Sequence, residues 1–452
     1  MCATTKKRRL RPIAKSFLDS LREFLTPAIG KQAEQARRAR RRSARWATQP
    51  LLLTLLVMTW CCGDTQAERF ETAKGFTAVC LAKRRRPGRS VQGFQKALAK
   101  LPMPALRAVA AGVRRRLRNL LDLTSDGWIV LGCDGSTMDC PRVEELEKRL
   151  DPPRQKRGAP VVWVTALVHL GTGLLWSWHL GAGLNRERSH LRALLPTLPP
   201  AALIVADAGY NGYELAQQII AAGASFLIRM SAKDMLYTEL PWDQTALATF
   251  RDGEMWCWPQ EARHHKLPPL RVRLLRLRGR CRRKDVWLLT NVLNAEQLTF
   301  EQASRYYRWR WENEGLFRTY KRTLAKVKLL SRTVCLIHRE ADASLLATQL
   351  LLAQGVRAVS GDRGRRLPRP CSPRRVLLAI REVILGRIGV RQRQAFRQRL
   401  TKALREQRQR TSSKVKRVWP RRVHYKTPKP PKFRELDDEE KLLLDQMLRR
   451  VA

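Results

Sequence analysis

The chain has 452 residues, 44% of them hydrophobic. That is enough for at least two cores, since a single core stops growing at about 250–300 residues, and it excludes a small module. Its 89 Lys and Arg against 39 Asp and Glu give a formal charge of +50, a self-repulsion tolerated when a polyanion sits on the surface. The charge is spread over the whole chain, which favours nucleic acid over an anionic membrane, because a membrane recruits one short basic cluster.

In chain order, residues 1–46 are dense in charge, from Lys6-Lys7-Arg8-Arg9 to Arg40-Arg41-Arg42, and read as a basic arm with a short helix near 16–25. Residues 47–118 carry apolar helical periodicity and read as a small helical domain, whose basic residues suit DNA. Their longest apolar stretch, 51–62, falls short of the ~20 residues of a bilayer-spanning helix and has no cleavage pattern after it, so it reads as a buried helix. The ten cysteines are scattered without a CxxC pair or a zinc spacing, and are expected to be reduced, small core residues.

From 119 the pattern changes to short β-type runs at 128–131, 161–170 and 173–180, then a helix at 187–195, a strand at 203–206, a helix at 212–222 and a strand at 225–229. The fold class is α/β. Residues 233–295 hold isolated strand-like runs and read as a β-rich insertion, and the core resumes over 296–360 with a long helical segment from about 299 past 329 and another helix at 338–356. Residues 361–452 read as a helical, Arg/Leu-rich region and then a basic tail containing Lys426-Thr-Pro-Lys-Pro-Pro-Lys432.

Two aspartates each follow an apolar run: Asp134 in Trp-Ile-Val-Leu-Gly-Cys-Asp-Gly, and Asp207 in Leu-Ile-Val-Ala-Asp-Ala-Gly. A carboxylate at a buried strand's end can face a metal, and the neighbouring glycines leave room for a phosphate; taken singly, such an aspartate is more often a turn or cap residue. More informative is Tyr307-Arg-Trp-Arg310-Trp-Glu-Asn-Glu314 through Lys321. On a helical wheel Tyr307, Arg310, Glu314 and Lys321 fall within roughly 60°, while Glu312 lies roughly 140° from Tyr307. The alternative reading is an exposed helix carrying an Arg310–Glu314 pair worth about 0.3–0.5 kcal/mol. Three carboxylates around a phosphate need divalent cations between them, and all-oxygen sites of this kind suit Mg²⁺ or Mn²⁺. His264, His265 and His338 have no partners at ligand spacing and read as surface or helix residues.

The pattern Tyr307-x2-Arg310-x3-Glu314-x6-Lys321 resembles the Y-R-E-K signature of bacterial insertion-sequence transposases of the IS-four type. Over about 125–355 the resemblance implies a ribonuclease-H-like mixed-sheet core interrupted by the β-rich insertion, with a helical N-terminal domain and a helical, basic C-terminal region. It implies Asp134, Asp207 and Glu314 as catalytic metal ligands, two ions, and DNA contacts by Tyr307, Arg310 and Lys321. With less specificity, Trp287 resembles the family tryptophan that stacks on a flipped base, with core packing as the alternative, and Arg229 resembles a DNA-contacting arginine, with a simple surface arginine as the alternative. Asn313 departs from the pattern, standing where many relatives carry an apolar residue. The implied activity is excision and strand transfer of an insertion sequence. Its partners are terminal inverted repeats, target DNA and a second subunit on DNA, in a cytoplasmic, nucleoid-associated setting without a membrane. A related nuclease and a non-catalytic DNA-binding protein remain the alternatives.

Overall fold

A computed structural model of the chain describes residues 15–37, 46–82, 86–150, 159–183, 187–241, 243–279, 285–360, 370–403 and 430–451. The basic runs at Lys6–Arg9 and Arg38–Arg42, and nearly all of the proline-containing tail, lie outside them. The N-terminal third is helical: α1 (Phe17–Phe24), α2 (Pro27–Arg37), α3 (Thr48–Trp60), α4 (Gln66–Cys80), α5 (Val91–Ala99) and α6 (Met103–Leu120). α1 starts where Ser16 and Asp19 close a reciprocal capping box. Its Phe17 and Phe24 are fully buried, Phe17 meeting Trp60, Phe76 and Phe396 edge-on. The short helix of the basic arm is therefore packed into the same core as α3, α4 and Phe396.

Next come β1 (Ile129–Asp139), α7 (Glu144–Arg149), β2 (Val161–His169), β3 (Leu174–Ala182), α8 (Glu187–Leu194), β4 (Ala202–Ala206), α9 (Tyr213–Ala221) and β5 (Ser225–Arg229). Residues 233–295 hold β6 (Met235–Thr238), α10 (Gln244–Thr249), β7 (Asp252–Cys257), α11 (Gln260–His264), β8 (Leu270–Leu277) and β9 (Val286–Thr290). The remainder is α12 (Phe300–Trp309), α13 (Glu312–Arg318), α14 (Val334–Ser360), α15 (Pro373–Ile384), α16 (Arg393–Thr401), β10 (Lys432–Glu435) and α17 (Asp438–Val451). All ten strands form one mixed sheet in the order β10-β6-β7-β8-β9-β5-β4-β1-β2-β3, with β1, β4 and β5 parallel.

The central strands are buried on both faces, which is why they read as apolar runs without clean alternation. Leu131, Cys133, Ile204, Ala206, Phe226 and Ile228 pack into the same core as the helices, where α14 lies against β3, α3 and α6. Val130, Leu203, Val205 and Leu227 point the other way, onto Tyr306 and Tyr307 of α12. Among the described residues no helix is long and apolar enough to cross a membrane, and Cys61, Cys133, Cys140 and Cys371 are buried free thiols.

His169, at the end of β2, is fully enclosed; one ring nitrogen meets the Leu123 carbonyl and the other the Thr172 hydroxyl, both at 2.8 Å. Burial pushes its pKa down to about 4, so the neutral ring is the folded form. The unfolded chain binds this proton near pH 6.5, hence the contribution is intact above pH 6.5 and is lost as the pH falls towards 4, by about 3 kcal/mol. Urea unfolding at pH 7 and pH 4.5 should show that loss, and His169→Gln should flatten the slope between them.

Candidate active site

The parallel pairing of β1 with β4 ends at Cys133 opposite Ala206. The next residue on each strand is an aspartate, so Asp134 and Asp207 emerge side by side at one level of the sheet. Alternation places Asp134 with Val130 and Gly132, towards α12 and α13. The expected strand end at Leu131 is corrected: β1 runs on to Asp139, still paired with β2, and Asp134 lies at its middle, opposite Ala166. What ends there is only the pairing with β4.

The Asp134 carboxylate accepts from the Gly135 amide at 2.8 Å. Burial raises its pKa, the Arg310 charge opposes this, and the charges of Asp207 and Glu314 add to it. Asp134 on β1 thus feels the acidic residues at the end of β4 and on α13. Asp207 receives the Ala208 amide at 3.0 Å and lies 3.5 Å from the Arg229 guanidinium and 3.7 Å from that of Arg310. Arg310 in turn lies over the rings of Tyr307 and Trp311, at 5.4 and 5.3 Å. Tyr307 is buried beneath it, its hydroxyl pKa raised by that burial and then by the Asp207 charge.

The uninterrupted helix expected from 299 past 329 is not observed. α12 stops at Trp309, α13 begins at Glu312, and 319–323 form a π turn before the helix ends. The join is a tightened turn, in which Arg310 donates to the Tyr307 carbonyl at 3.2 Å and Asn313 to the Arg310 carbonyl at 3.0 Å. Both Arg310 and Trp311 keep right-handed backbone angles, so the chain bends without reversing. Glu312 is occupied elsewhere, accepting from the Gly171 amide at 2.7 Å. Lys321, in the π turn, is half-buried and makes no ion pair among the described residues.

Asn313 is fully buried and neither amide atom has a hydrogen-bond partner among the described residues. It rests on Gly132, where a Cβ would fall 2.7 Å from its amide and from Leu170. Glycine there lets α13 lie close to β1. Gly132→Ala should cost about 1–3 kcal/mol through overpacking. Thermal melts would check this.

Trp287 is 6% exposed, stacked on Phe250 and tilted against Phe433, with the Arg276 guanidinium 5.0 Å from its ring. Its ring is packed in the core. Trp311 is the contrast, 62% exposed beside Arg310.

A carboxylate not anticipated from sequence, Glu187 at the start of α8, is half-buried beside the loop that follows Asp207; a Cβ on Gly209 would lie 2.5 Å from its Oε2. Burial raises its pKa, followed by the charges of Asp134 and Asp207. In the sequence, a glutamate between arginines at a helix start reads as a partner of the helix dipole, and no local signal marks it otherwise.

Among the described residues no three Asp, Glu, His or Cys side chains stand close enough to close around an ion, and Asp207 is engaged by two arginines. The donor chemistry still suits a hard cation: Asp134, Asp207 and Glu314 offer only carboxylate oxygens, Asp134 partly buried and Glu314 exposed.

Residues 133–350 match the family described as Transposase DDE domain, a span that contains Asp134, Asp207 and Glu314; this supports a DDE transposase. No curated protein matches the chain. Among solved structures the chain is similar to a piggyBac transposase synaptic complex with hairpin DNA, seen by cryo-EM, at 13% identity and a TM-score of 0.44, over 90% of this chain and 88% of that one. A likeness of that degree carries no argument about chemistry.

Proposed function

We propose that the chain is an insertion-sequence transposase of the IS-four type, with Asp134, Asp207 and Glu314 as the acidic ligands of a metal-dependent phosphoryl-transfer site. The observation that supports this reading is that Asp134 and Asp207 emerge at one level from two paired parallel strands, inside the segment similar to the transposase domain. The strand order β3-β2-β1-β4-β5, with β1, β4 and β5 parallel, supports a ribonuclease-H-like core.

These carboxylates would hold Mg²⁺ or Mn²⁺, two ions in all; when bound, the metal lowers the pKa of the attacking water or 3′-hydroxyl and offsets charge on the leaving oxygen. The protein's own cations act around it. Arg310 and Arg229 neutralise Asp207 in the free site and are in place to turn to phosphates flanking the reacting one, as fixed positive charge where negative charge gathers. Tyr307 supports Arg310 from below. Lys321 would act further along the DNA backbone, as a point charge. Exposed Arg115 and Arg118 on α6 make the helical N-terminal region the candidate surface for the terminal inverted repeat. Coupling two ends requires two active sites, hence a homodimer assembled on DNA, in a cytoplasmic, nucleoid-associated setting.

The test is Mg²⁺-dependent release of DNA bearing the element's own flanking repeats, by the full chain and by Glu314→Gln. Release and joining by the first and neither by the second is expected. Uncut DNA in both would remove the enzyme and leave a DNA-binding protein, and cutting without joining would make it a nuclease.

A further inference from the structure

We propose that Trp163 is a positioning residue for Asp134: from the opposite face of the sheet, its indole ring fixes the peptide whose amide holds the Asp134 carboxylate. The inference rests on the reading of Asp134 as one of the reacting acids.

The register of β1 on β2 sets Gly135 opposite Thr165 and Thr137 opposite Trp163. Opposed residues share a face and successive ones alternate, so Gly135, Thr137, Trp163 and Thr165 belong to one side of the sheet and Asp134 to the other. Trp163 does not stand upright on its side. A Cβ on Gly135 would fall 2.7 Å from its Cζ2, 2.8 Å from its Nε1 and 2.9 Å from its Cε2. The indole therefore lies along the diagonal to Gly135, against the backbone, in space that only a glycine leaves. The room beside Asp134 on this side is taken by a ring and not by a phosphate.

The ring is itself held. Its Nε1 donates to the Thr165 hydroxyl oxygen at 3.2 Å, and that hydroxyl lies 3.0 Å from Nδ1 of His190 on α8. An indole only donates, so the Thr165 oxygen accepts there and keeps its own proton for His190. Thr165 is fully buried and His190 is 2% exposed, hence the ring is anchored to two side chains that have nowhere to move. Core filling does not account for Trp163: it is partly exposed and joins none of the apolar clusters among the described residues.

Asp134 needs such a support because of where it stands. Pairing of β1 with β4 stops at Cys133, and the next contact on that edge is at Asp139, which meets Val327 and Leu329. Over the intervening residues β1 is paired with β2 alone among the described residues. Glycine is the residue least restricted by its own backbone, and it is the Gly135 amide that donates to the Asp134 carboxylate, at 2.8 Å. A flat, anchored ring against that peptide limits its rotation, and the carboxylate is limited with it.

The experiment is single-turnover cleavage by the full chain at saturating DNA, beside gel-shift titrations and melting curves. The variants are Trp163→Ala, Trp163→Phe, Gly135→Ala and the double variant Trp163→Ala with Gly135→Ala. Trp163→Ala should slow cleavage about 10–100-fold, the range seen when a support of a reacting carboxylate is removed, and leave DNA affinity unchanged. Trp163→Phe keeps a flat ring without the bond to Thr165 and should recover part of the rate. Gly135→Ala should also slow cleavage, because its Cβ displaces either the ring or the peptide, yet add little in the double variant. Folded Trp163→Ala or Gly135→Ala cleaving at the wild-type rate would overturn the role of Trp163, as would costs that simply add in the double variant; Glu314→Gln would still be inactive and the function reading would stand. A wild type that does not cleave would overturn both.

Discussion

Glu314→Gln is expected to abolish DNA cleavage while leaving DNA binding unchanged. Charge stabilisation by a bound metal is worth several kcal/mol in the transition state, and each 1.36 kcal/mol is tenfold in rate, so the loss should reach about 10³-fold or more. The matched control is Glu312→Gln, two residues away. Its carboxylate is spent on the Gly171 amide, so this change should cost some stability at the turn between β2 and β3 and leave most of the cleavage. Asp207→Asn should behave as Glu314→Gln in cleavage but not in binding: it weakens the hold on Arg229 and Arg310, 3.5 and 3.7 Å away, and DNA affinity should rise. Single-turnover cleavage beside a gel-shift titration at fixed salt separates these outcomes. Equal cleavage by the Glu314 and Glu312 variants would sink the assignment.

The second large effect concerns stability. Lys326 and Glu340 form a buried pair 3.3 Å apart, 5% and 9% exposed. Glu340 also accepts from the Leu330 amide at 3.0 Å and the Ser331 amide at 2.9 Å, tying the segment after the π turn to α14. Burial holds the Lys326 pKa down, against the pull of Glu340. Removing one partner of such a pair leaves an uncompensated charge, which costs about 3–5 kcal/mol, and Glu340→Ala also strands two amides. That is a large part of a typical domain's total stability. Glu340→Ala should therefore unfold at much lower urea, while Lys326→Met combined with Glu340→Gln should recover part of the loss, because the charge goes with its partner. A double variant no better than the single one would show that the amide contacts, and not the ion pair, carry the effect.

Several features were readable in advance because they depend on local chemistry. The runs at 161–170, 203–206 and 225–229 are too apolar to sit anywhere but inside a sheet, and β2, β4 and β5 occupy them. The periodicities at 51–60 and 106–117 lie within α3 and α6. Helical spacing prefers Glu314 to Glu312, and the tightened right-handed turn at Arg310 changes that wheel only slightly. The break itself was not readable, because the Tyr307–Lys321 spacing fits an unbroken helix; in the structure α13 lies close against Gly132.

The residue types and their order along the chain thus determined the α/β class, the overall positive charge and the acidic residues that could share a site, since each is a property of short segments. Only the tertiary structure decided that β10, far along the chain, closes the edge of the sheet beside β6, that Trp287 is enclosed while Trp311 is open, and that Glu187 stands against Gly209 in the loop after Asp207. Such contacts join segments far apart in the chain, and their energy comes from packing and desolvation at the place where they meet, which no local pattern encodes.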